Sequence, residues 1–463
     1  MSTLNSNKTV DDASWSRPPY ERPDDKTLTR LSRHHPTPLH IIDLDRVSCL
    51  IEALEAALSA VPCQTSIQYS VKTNYLPALL RWLAKEKIGA DVVSGYELKA
   101  ALNAGMDPKA CVMNGPMKTR EEIDLALHAG VLVNIDSLND VRLLEEAARQ
   151  RSTPVEVGLR LSPGIPASTS DDASFVDQLE RAAQHDRFGW QVDLADTNVL
   201  LRRLEQSPNL QLVGIHAHLG SQLVSPSQMI EALDRILDKA GEINRRDSLR
   251  VINIGGGFAT PGIHRTRETP GFKAERPSTG DPVTGDEEFD LRSFFSSVAE
   301  GMERRGIRDA TLACEPGRWL VSDSMSILTR VVSTKNTAVG RWAVLDAGQN
   351  VAPWAGTGEW HNMFVVGKPA QATDPTWSVA GPLCFAGDVH AAERRLPADL
   401  QVGDLVCIQD TGAYSIGRSS NFIRKRCGVV DVNRDLLLWK AESDDDVFMF
   451  DTKADVAPAH EAP

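Results

Sequence analysis

A lysine, a carboxylate and a glycine run lie far apart in the chain, each just beyond an apolar stretch. Lys72 ends the segment Tyr69-Ser70-Val71-Lys72-Thr73-Asn74. Lysine is rarely buried without a partner. At such a place it is either a side chain that has reached the rim of the fold, or an amine desolvated enough to form an imine. Glu315 opens Glu315-Pro316-Gly317-Arg318. Its carboxylate could hold a proton on a heterocyclic nitrogen, strengthening that ring as an electron sink; it could equally form a salt bridge with Arg318. Gly255, Gly256 and Gly257 follow another apolar run. Without Cβ atoms, such a turn lets backbone N–H groups approach a phosphate. It could also be no more than a tight loop. It is not a dinucleotide fingerprint, because it continues Phe258-Ala259-Thr260 and lacks the third glycine. His218 suits stacking on a flat ring, or a core hydrogen bond. Cys384 and Tyr414 lie in loop-like segments, Gly381-Pro382-Leu383-Cys384 and Asp410-Thr411-Gly412-Ala413-Tyr414. Free cysteines are often buried spectators, and a tyrosine hydroxyl can either reach a phosphate or merely pack.

The elements that must position these residues alternate. Apolar runs at 66–71, 89–93, 110–114, 131–135, 155–161, 212–218, 250–254 and 310–314 are separated by amphipathic helical patterns. Strands alternating with helices imply a parallel sheet. Eight units in this length fit an α/β fold of the (β/α)₈ barrel type, with a doubly wound open sheet as the competitor. In a barrel the strand C-termini share one face. Lys72, Asp91, Asn114, Asp136, Arg160, His216, His218, Ser221, the glycine run and Glu315 all fall at such ends. A helix cap would explain Asp136 alone and a core hydrogen bond His216 alone. The ordered set is harder to explain that way.

Beyond about residue 320, short β-type runs replace helical periodicity and indicate a mostly antiparallel β domain. We expect four regions: a polar, Pro-rich extension over 1–36, only partly ordered; a barrel over 37–320, whose first strand, near 38–47, may join the β domain; the β domain over 321–440; and an acidic tail over 441–463. Two insertions, near 163–186 and 260–288, are expected to be irregular, the second a flap or loop rich in Gly, Pro and charge.

Hydrophobic residues make up 41% of the 463 and charged residues 24%, enough for a large globular core. The net charge of -13 argues against nucleic-acid binding, which needs a basic surface. It does not exclude an anionic ligand held at helix ends. No 18-residue apolar run and no apolar leader is present, so membrane spanning and export are not expected. The seven cysteines are scattered without metal spacing. We therefore expect reduced thiols, no metal site and a cytoplasmic protein.

Taken together, YSVKTN, GADVVSGYEL, NGPMK, HDRFG, HAHLGSQL, NIGGGF, EPGRWL, GPLCFAGD and GDLVCIQDTGAYS resemble, in order, the motifs of the fold-type III pyridoxal-phosphate decarboxylases. That family includes the diaminopimelate, ornithine and arginine decarboxylases, and the likeness runs from about residue 36 to 435. The resemblance implies pyridoxal 5′-phosphate (PLP) bound through Lys72 as a Schiff base. It places His218 on the ring face and Glu315 at the ring nitrogen. Ser221, Gly255, Gly256, Gly257 and Tyr414 would serve the phosphate, helped by Gly317 and Arg318, with Asp91 and Arg160 in support. It makes Cys384 the proton donor to the substrate carbon, supplied by the partner subunit of a homodimer with shared active sites.

The departures concern substrate. In this family the residue after that cysteine is an acid that reads a distal amino group; here it is Phe385. The stretch matching the family's distal-carboxylate arginine reads Gln349-Asn350-Val351-Ala352-Pro353-Trp354, with Ala352 in place of Arg. Ala352, Trp354, His361, Phe385 and Asp388 are thus substrate-pocket candidates. Losing both charged readers would leave a distal charged group unpaired. The expectation is a modified or acylated amino acid of siderophore or antibiotic biosynthesis. The alternatives are diaminopimelate decarboxylation, an amino-acid racemase, and a catalytically silent regulator.

Overall fold

The computed structural model describes residues 17–149, 151–163, 187–221, 226–244, 249–260, 263–265, 290–338, 340–353 and 359–448. Eight strands run parallel: Thr65–Ser70, Gly89–Val92, Val112–Met113, Leu132–Ile135, Val155–Ser162, Leu210–His216, Val251–Asn253 and Thr311–Cys314. Each pairs with the next in sequence. The last returns to the first, with Leu312 opposite Thr65 and Cys314 opposite Ile67. The sheet is therefore a closed barrel, and the open-sheet alternative is excluded.

Local sequence explains the alternation. The helix Arg120–Ala129 starts at a reciprocal capping box between Thr119 and Glu122 and stops at Gly130, whose φ of 82° suits glycine. The strands carry almost unbroken apolar runs because helices cover one face and the barrel interior the other. Tyr69, Ala90, Val92, Val133, Val157 and Leu159 are fully buried.

The second unit is a sheet built mainly from Met325–Thr337, Gly340–Leu345, Thr376–Ala380, Val389–Arg395, Leu405–Ile408, Gly428–Asp431 and Leu436–Trp439. Most pairings are antiparallel; Arg341–Val344 runs parallel to Trp377–Ala380. An early strand joins it. Leu39–Ile42 lies antiparallel to Met325–Leu328 and parallel to Gly428–Asp431.

The N-terminal expectation needs correcting from residue 17 onward. Asp25–His34 is a helix, capped by the Asp24 carboxylate accepting from the Thr27 amide. Its two buried leucines, Leu28 and Leu31, pack with Leu39, Ile41, Leu328 and Val430. Two apolar residues three apart are too few to announce a helix in a polar segment; the sheet that receives them supplies the stability. Ahead of the helix, Arg17 pairs with Asp323 at 2.6 Å and donates to the Trp319 carbonyl. Arg46 reaches the same Asp323 at 2.7 Å.

Of the two insertions, 164–186 and 266–288 lie outside the described residues, as does the tail from 449. Ile263–Arg265 is a short strand paired with Glu359–His361. Among the described residues no helix is long and apolar enough to cross a membrane, and no cluster of His, Cys, Asp and Glu could hold a metal ion.

Candidate active site

Lys72 sits in a single 3₁₀ turn, Val71–Thr73, immediately after the first barrel strand. Its neighbours tie the barrel mouth to the β domain. The Thr73 carbonyl accepts from the Tyr414 amide at 2.7 Å, and the Asn74 side chain donates to the Gly412 carbonyl at 3.0 Å. Asp410 and Tyr414 take positive φ angles, 59° and 60°, so the Asp410–Tyr414 loop is sharply bent where it meets the lysine turn.

The Lys72 amine lies 3.4 Å from Asp91 Oδ2. That oxygen also accepts from the Ser70 hydroxyl at 2.7 Å, while Oδ1 accepts from Asn114 Nδ2 at 2.7 Å. Burial alone would raise the Asp91 carboxyl. The lysine charge and the hydrogen bonds from Asn114 and Ser70 outweigh it and hold the pKa at about 2. Burial likewise opposes the lysine charge, but Asp91, with Tyr414 and Glu315 beyond it, shifts the amine upward.

Glu315 directly follows the eighth strand and is almost fully buried. Its Oε1 accepts from Asn114 Nδ2 at 3.0 Å and Asn253 Nδ2 at 2.9 Å. His216 Nε2 lies 3.2 Å from it. Arg318 does not pair with Glu315. Its guanidinium makes a bidentate pair with Glu359, at 2.8 and 3.1 Å, 5.0 Å from the centre of the Tyr414 ring. Burial works against the Glu359 charge, but Arg318 and His361 outweigh it and keep this carboxyl far below its ordinary range. The Arg318 charge is thus matched by Glu359.

The glycine turn abuts Glu315. Gly255 and Gly257 have φ of 68° and 96°, backbone that other residues rarely adopt. The Gly255 carbonyl accepts from the Glu315 amide at 2.7 Å. A Cβ on Gly256 would lie 2.1 Å from the Glu315 carbonyl oxygen. The Gly256 amide donates to His218 Nδ1 at 3.2 Å. Desolvation, and then the charge of Lys72, push the His218 imidazole well below its ordinary pKa, so it is neutral. Gly317 is pinned equally: a Cβ there would lie 2.3 Å from Thr73 Oγ1. Ser221 is partly exposed, four residues past the Gly214 to Ala217 run.

Arg160 lies on the fifth strand, 3.4 Å from Asp136 and over the Phe188 ring. A second buried pair supports that corner. Asp140 Oδ2 accepts from Lys118 at 3.1 Å and from the Asp136 amide at 2.9 Å.

The structure describes four of the five pocket candidates. Ala352 is fully buried in the β-domain core. Asp388 is a loop clasp, accepting from the Gln349 and Leu383 amides at 2.8 and 2.7 Å. His361 is buried, with Nδ1 3.0 Å from the Gln409 carbonyl. Trp354 lies outside the described residues. Cys384 and Phe385 are exposed, and Phe385 packs edge-on against exposed Phe422. Asn253, Asn134, Gln68 and Glu359 were not singled out in the sequence. A polar residue inside an apolar strand run was the available signal for the first two.

A lysine amine beside a carboxylate, a buried and hydrogen-bonded glutamate and a tight glycine turn, all at the C-terminal ends of the strands, define a (β/α)₈-barrel enzyme. The chemistry of that donor set fits PLP. Residues 47–322 match the family model of the pyridoxal-dependent decarboxylase, pyridoxal binding domain, and residues 318–412 match its C-terminal sheet domain. The chain belongs to this family: it is a PLP-dependent amino-acid decarboxylase. It is 30% identical to a diaminopimelate decarboxylase of Archaeoglobus fulgidus over 88% of this chain and 90% of that one. A diaminopimelate decarboxylase of Bacillus subtilis is 28% identical over 91% and 92%. The structure of diaminopimelate decarboxylase from M. jannaschii in complex with L-lysine superimposes with a TM-score of 0.78, at 26% identity over 91% of this chain and 93% of that one.

Proposed function

We propose that the protein decarboxylates a diamino diacid of the diaminopimelate type. The relatives reported above carry that name, so the acylated amino acid expected from Phe385 and Ala352 becomes the second reading. The observation that carries the proposal is the Arg318–Glu359 pair. A diaminopimelate side chain ends in an ammonium and a carboxylate, and one buried cation with one buried anion could exchange partners with it. Neither Phe385, after Cys384, nor Ala352 carries a charge that could do so.

In this reading Lys72 bears the cofactor and Glu315 faces the ring nitrogen. His218, neutral and tied to Gly256, lies against the ring. Ser221, Gly255, Gly256, Gly257, Gly317 and Tyr414 receive the phosphate. PLP supplies the electron sink for the pair left when CO₂ departs. The protein's part is orientation and electrostatics. Asp91 steadies the Lys72 amine, and the glycine turn leaves room beside it that no Cβ fills.

A proton must then reach the carbon that lost CO₂. Cys384 is the donor, delivered by a second copy of the chain. Its exposure beside Phe385, Phe422 and Ile423 supports that arrangement, since such an apolar patch is a place for a partner. The barrel over 37–320 and the sheet over 321–440 act as the cofactor and interface units.

The deciding experiment offers meso-diaminopimelate and a panel of N-acylated diamino acids to the PLP-loaded protein. CO₂ release with lysine formation from the first supports the proposal. Turnover of an acylated compound alone, as the exposed Phe385 would favour, overturns it. For the shared site, Lys72→Ala and Cys384→Ala are each expected to be nearly inactive, and their mixture to regain activity. A mixture that stays inactive refutes sharing.

A further inference from the structure

Glu315 is held by amides that cannot turn round. Asn253 Oδ1 accepts from the Gly255 amide at 2.8 Å. Its Nδ2 donates to Gln68 Oε1 at 2.8 Å and to Glu315 Oε1 at 2.9 Å. Flipping the amide would set an oxygen against the Glu315 carboxylate and an NH₂ against the Gly255 N–H, losing every bond. Asn114 is locked by the same logic. Its Oδ1 accepts from Asn134 Nδ2 at 2.7 Å, so its Nδ2 must be the group facing Asp91 and Glu315. Asn134 is itself packed tightly, since a Cβ on Gly158 would lie 1.8 Å from its Oδ1. Glu315, Asn253, Asn114 and Asn134 are all almost fully buried. Water cannot replace these donors.

We propose that Asn253 and Asn114 are positioning residues that hold Glu315 as an acceptor-only carboxylate, with Asn253 also coupling that carboxylate to the glycine turn. One side chain thus joins the place proposed for the phosphate to the group proposed for the ring nitrogen. Two fixed N–H donors on one oxygen leave that oxygen only the accepting role. An ionised partner is what keeps a proton on a pyridine nitrogen. Neither asparagine touches the reacting carbon; both act through Glu315. The inference rests on the reading that Glu315 faces the ring nitrogen.

The test uses full-length protein loaded with PLP labelled with ¹⁵N in the ring. Asn253→Asp keeps the acceptor for the Gly255 amide and turns the donor into a second carboxylate against Glu315. Like charges that close cannot both persist. In the wild type the ¹⁵N shift is expected at the position of a protonated pyridine. In N253D it should move to that of a neutral pyridine, as it should in Glu315→Gln, with kcat falling at least roughly tenfold and KM little changed. A merely structural role would weaken the fold or PLP retention without moving the ¹⁵N shift. If N253D does not fold, Asn114→Asp makes the same substitution from the other side, keeping its acceptor for Asn134. A shift that moves in E315Q but in neither asparagine variant overturns the inference. A shift that E315Q leaves unchanged overturns the placing of Glu315 at the ring nitrogen, and the inference with it.

Discussion

The Lys72 amine lies 3.4 Å from Asp91 Oδ2, an oxygen already holding the Ser70 hydroxyl at 2.7 Å. If Lys72 bears the cofactor as proposed, the pair makes PLP capture depend on pH. Attachment needs the neutral amine, and the anion of Asp91 raises the Lys72 pKa, so capture should accelerate as pH rises. Asp91→Asn removes that anion and should shift the profile of capture rate to lower pH. Following the visible absorbance band of the loaded protein after mixing with PLP checks this; an unshifted profile argues against the pairing.

Gly256→Ala places a methyl group where the Glu315 carbonyl oxygen now sits, 2.1 Å from the added Cβ. Backbone must move on both sides of the cofactor cradle. PLP affinity should fall roughly tenfold or more, while the circular dichroism of the barrel stays close to that of the wild type. Titration of the ligand-free variant with PLP measures it.

Asp410 bears on stability. Desolvation by burial, followed by the negative charge of Asp323, raises its pKa to about 7, against the weaker pull of Arg17 and Arg46. The folded protein therefore keeps this proton where the unfolded chain loses it. Stability falls as pH rises from about 4 to 7 and then stays lowered. Asp410→Asn abolishes that loss and suits the positive φ of 59° at this position. It should stabilise by up to about 4 kcal/mol at pH 8, from roughly three pKa units, and by little at pH 4. Denaturant unfolding at both pH values decides; equal effects at the two would contradict the assignment.

Glu359→Gln leaves Arg318 a buried, unmatched cation beside the Tyr414 ring. If the pair reads the distal end of the substrate, KM for meso-diaminopimelate should rise roughly tenfold or more, with smaller change in kcat. PLP retention should not change. Steady-state kinetics alongside the cofactor absorbance separates a reader from a structural clamp, which would alter both.

Leu31 is fully buried between the N-terminal helix and the sheet. Leu31→Ala should cost about 2–5 kcal/mol if the helix is an integral part of the core. A change within about 0.5 kcal/mol, as for a surface position, would mean that the helix is a detachable strap. Chemical denaturation of the full chain reads it directly.

Much of the fold was legible in the residues. Parallel strands buried on both faces must be apolar throughout, and helices crossing over them must be amphipathic, so eight alternating runs announced the barrel. Its polar strand ends announced a site, because strand C-termini meet at one mouth wherever the sheet closes. Lys72, Asp91, His218, the glycine turn and Glu315 were readable for that reason. The substrate side was not. Ala352, Asp388 and His361 were judged by their place along the chain, but Ala352 and Asp388 lie in connections between strands and His361 at a strand end, and only the way those segments fold back on the sheet decides which way each side chain points. Ala352 proved to be core, Asp388 a loop clasp and Cys384 surface. Residue type and order alone determined the barrel, the β domain and the dependence on PLP. The tertiary structure alone decided which partner each charge takes. It set Arg318 against Glu359, 41 residues away, and Asn253 against Glu315, 62 residues away. Hydrogen bonds and ion pairs act over a few ångströms of space, and separation along the chain carries no record of that distance.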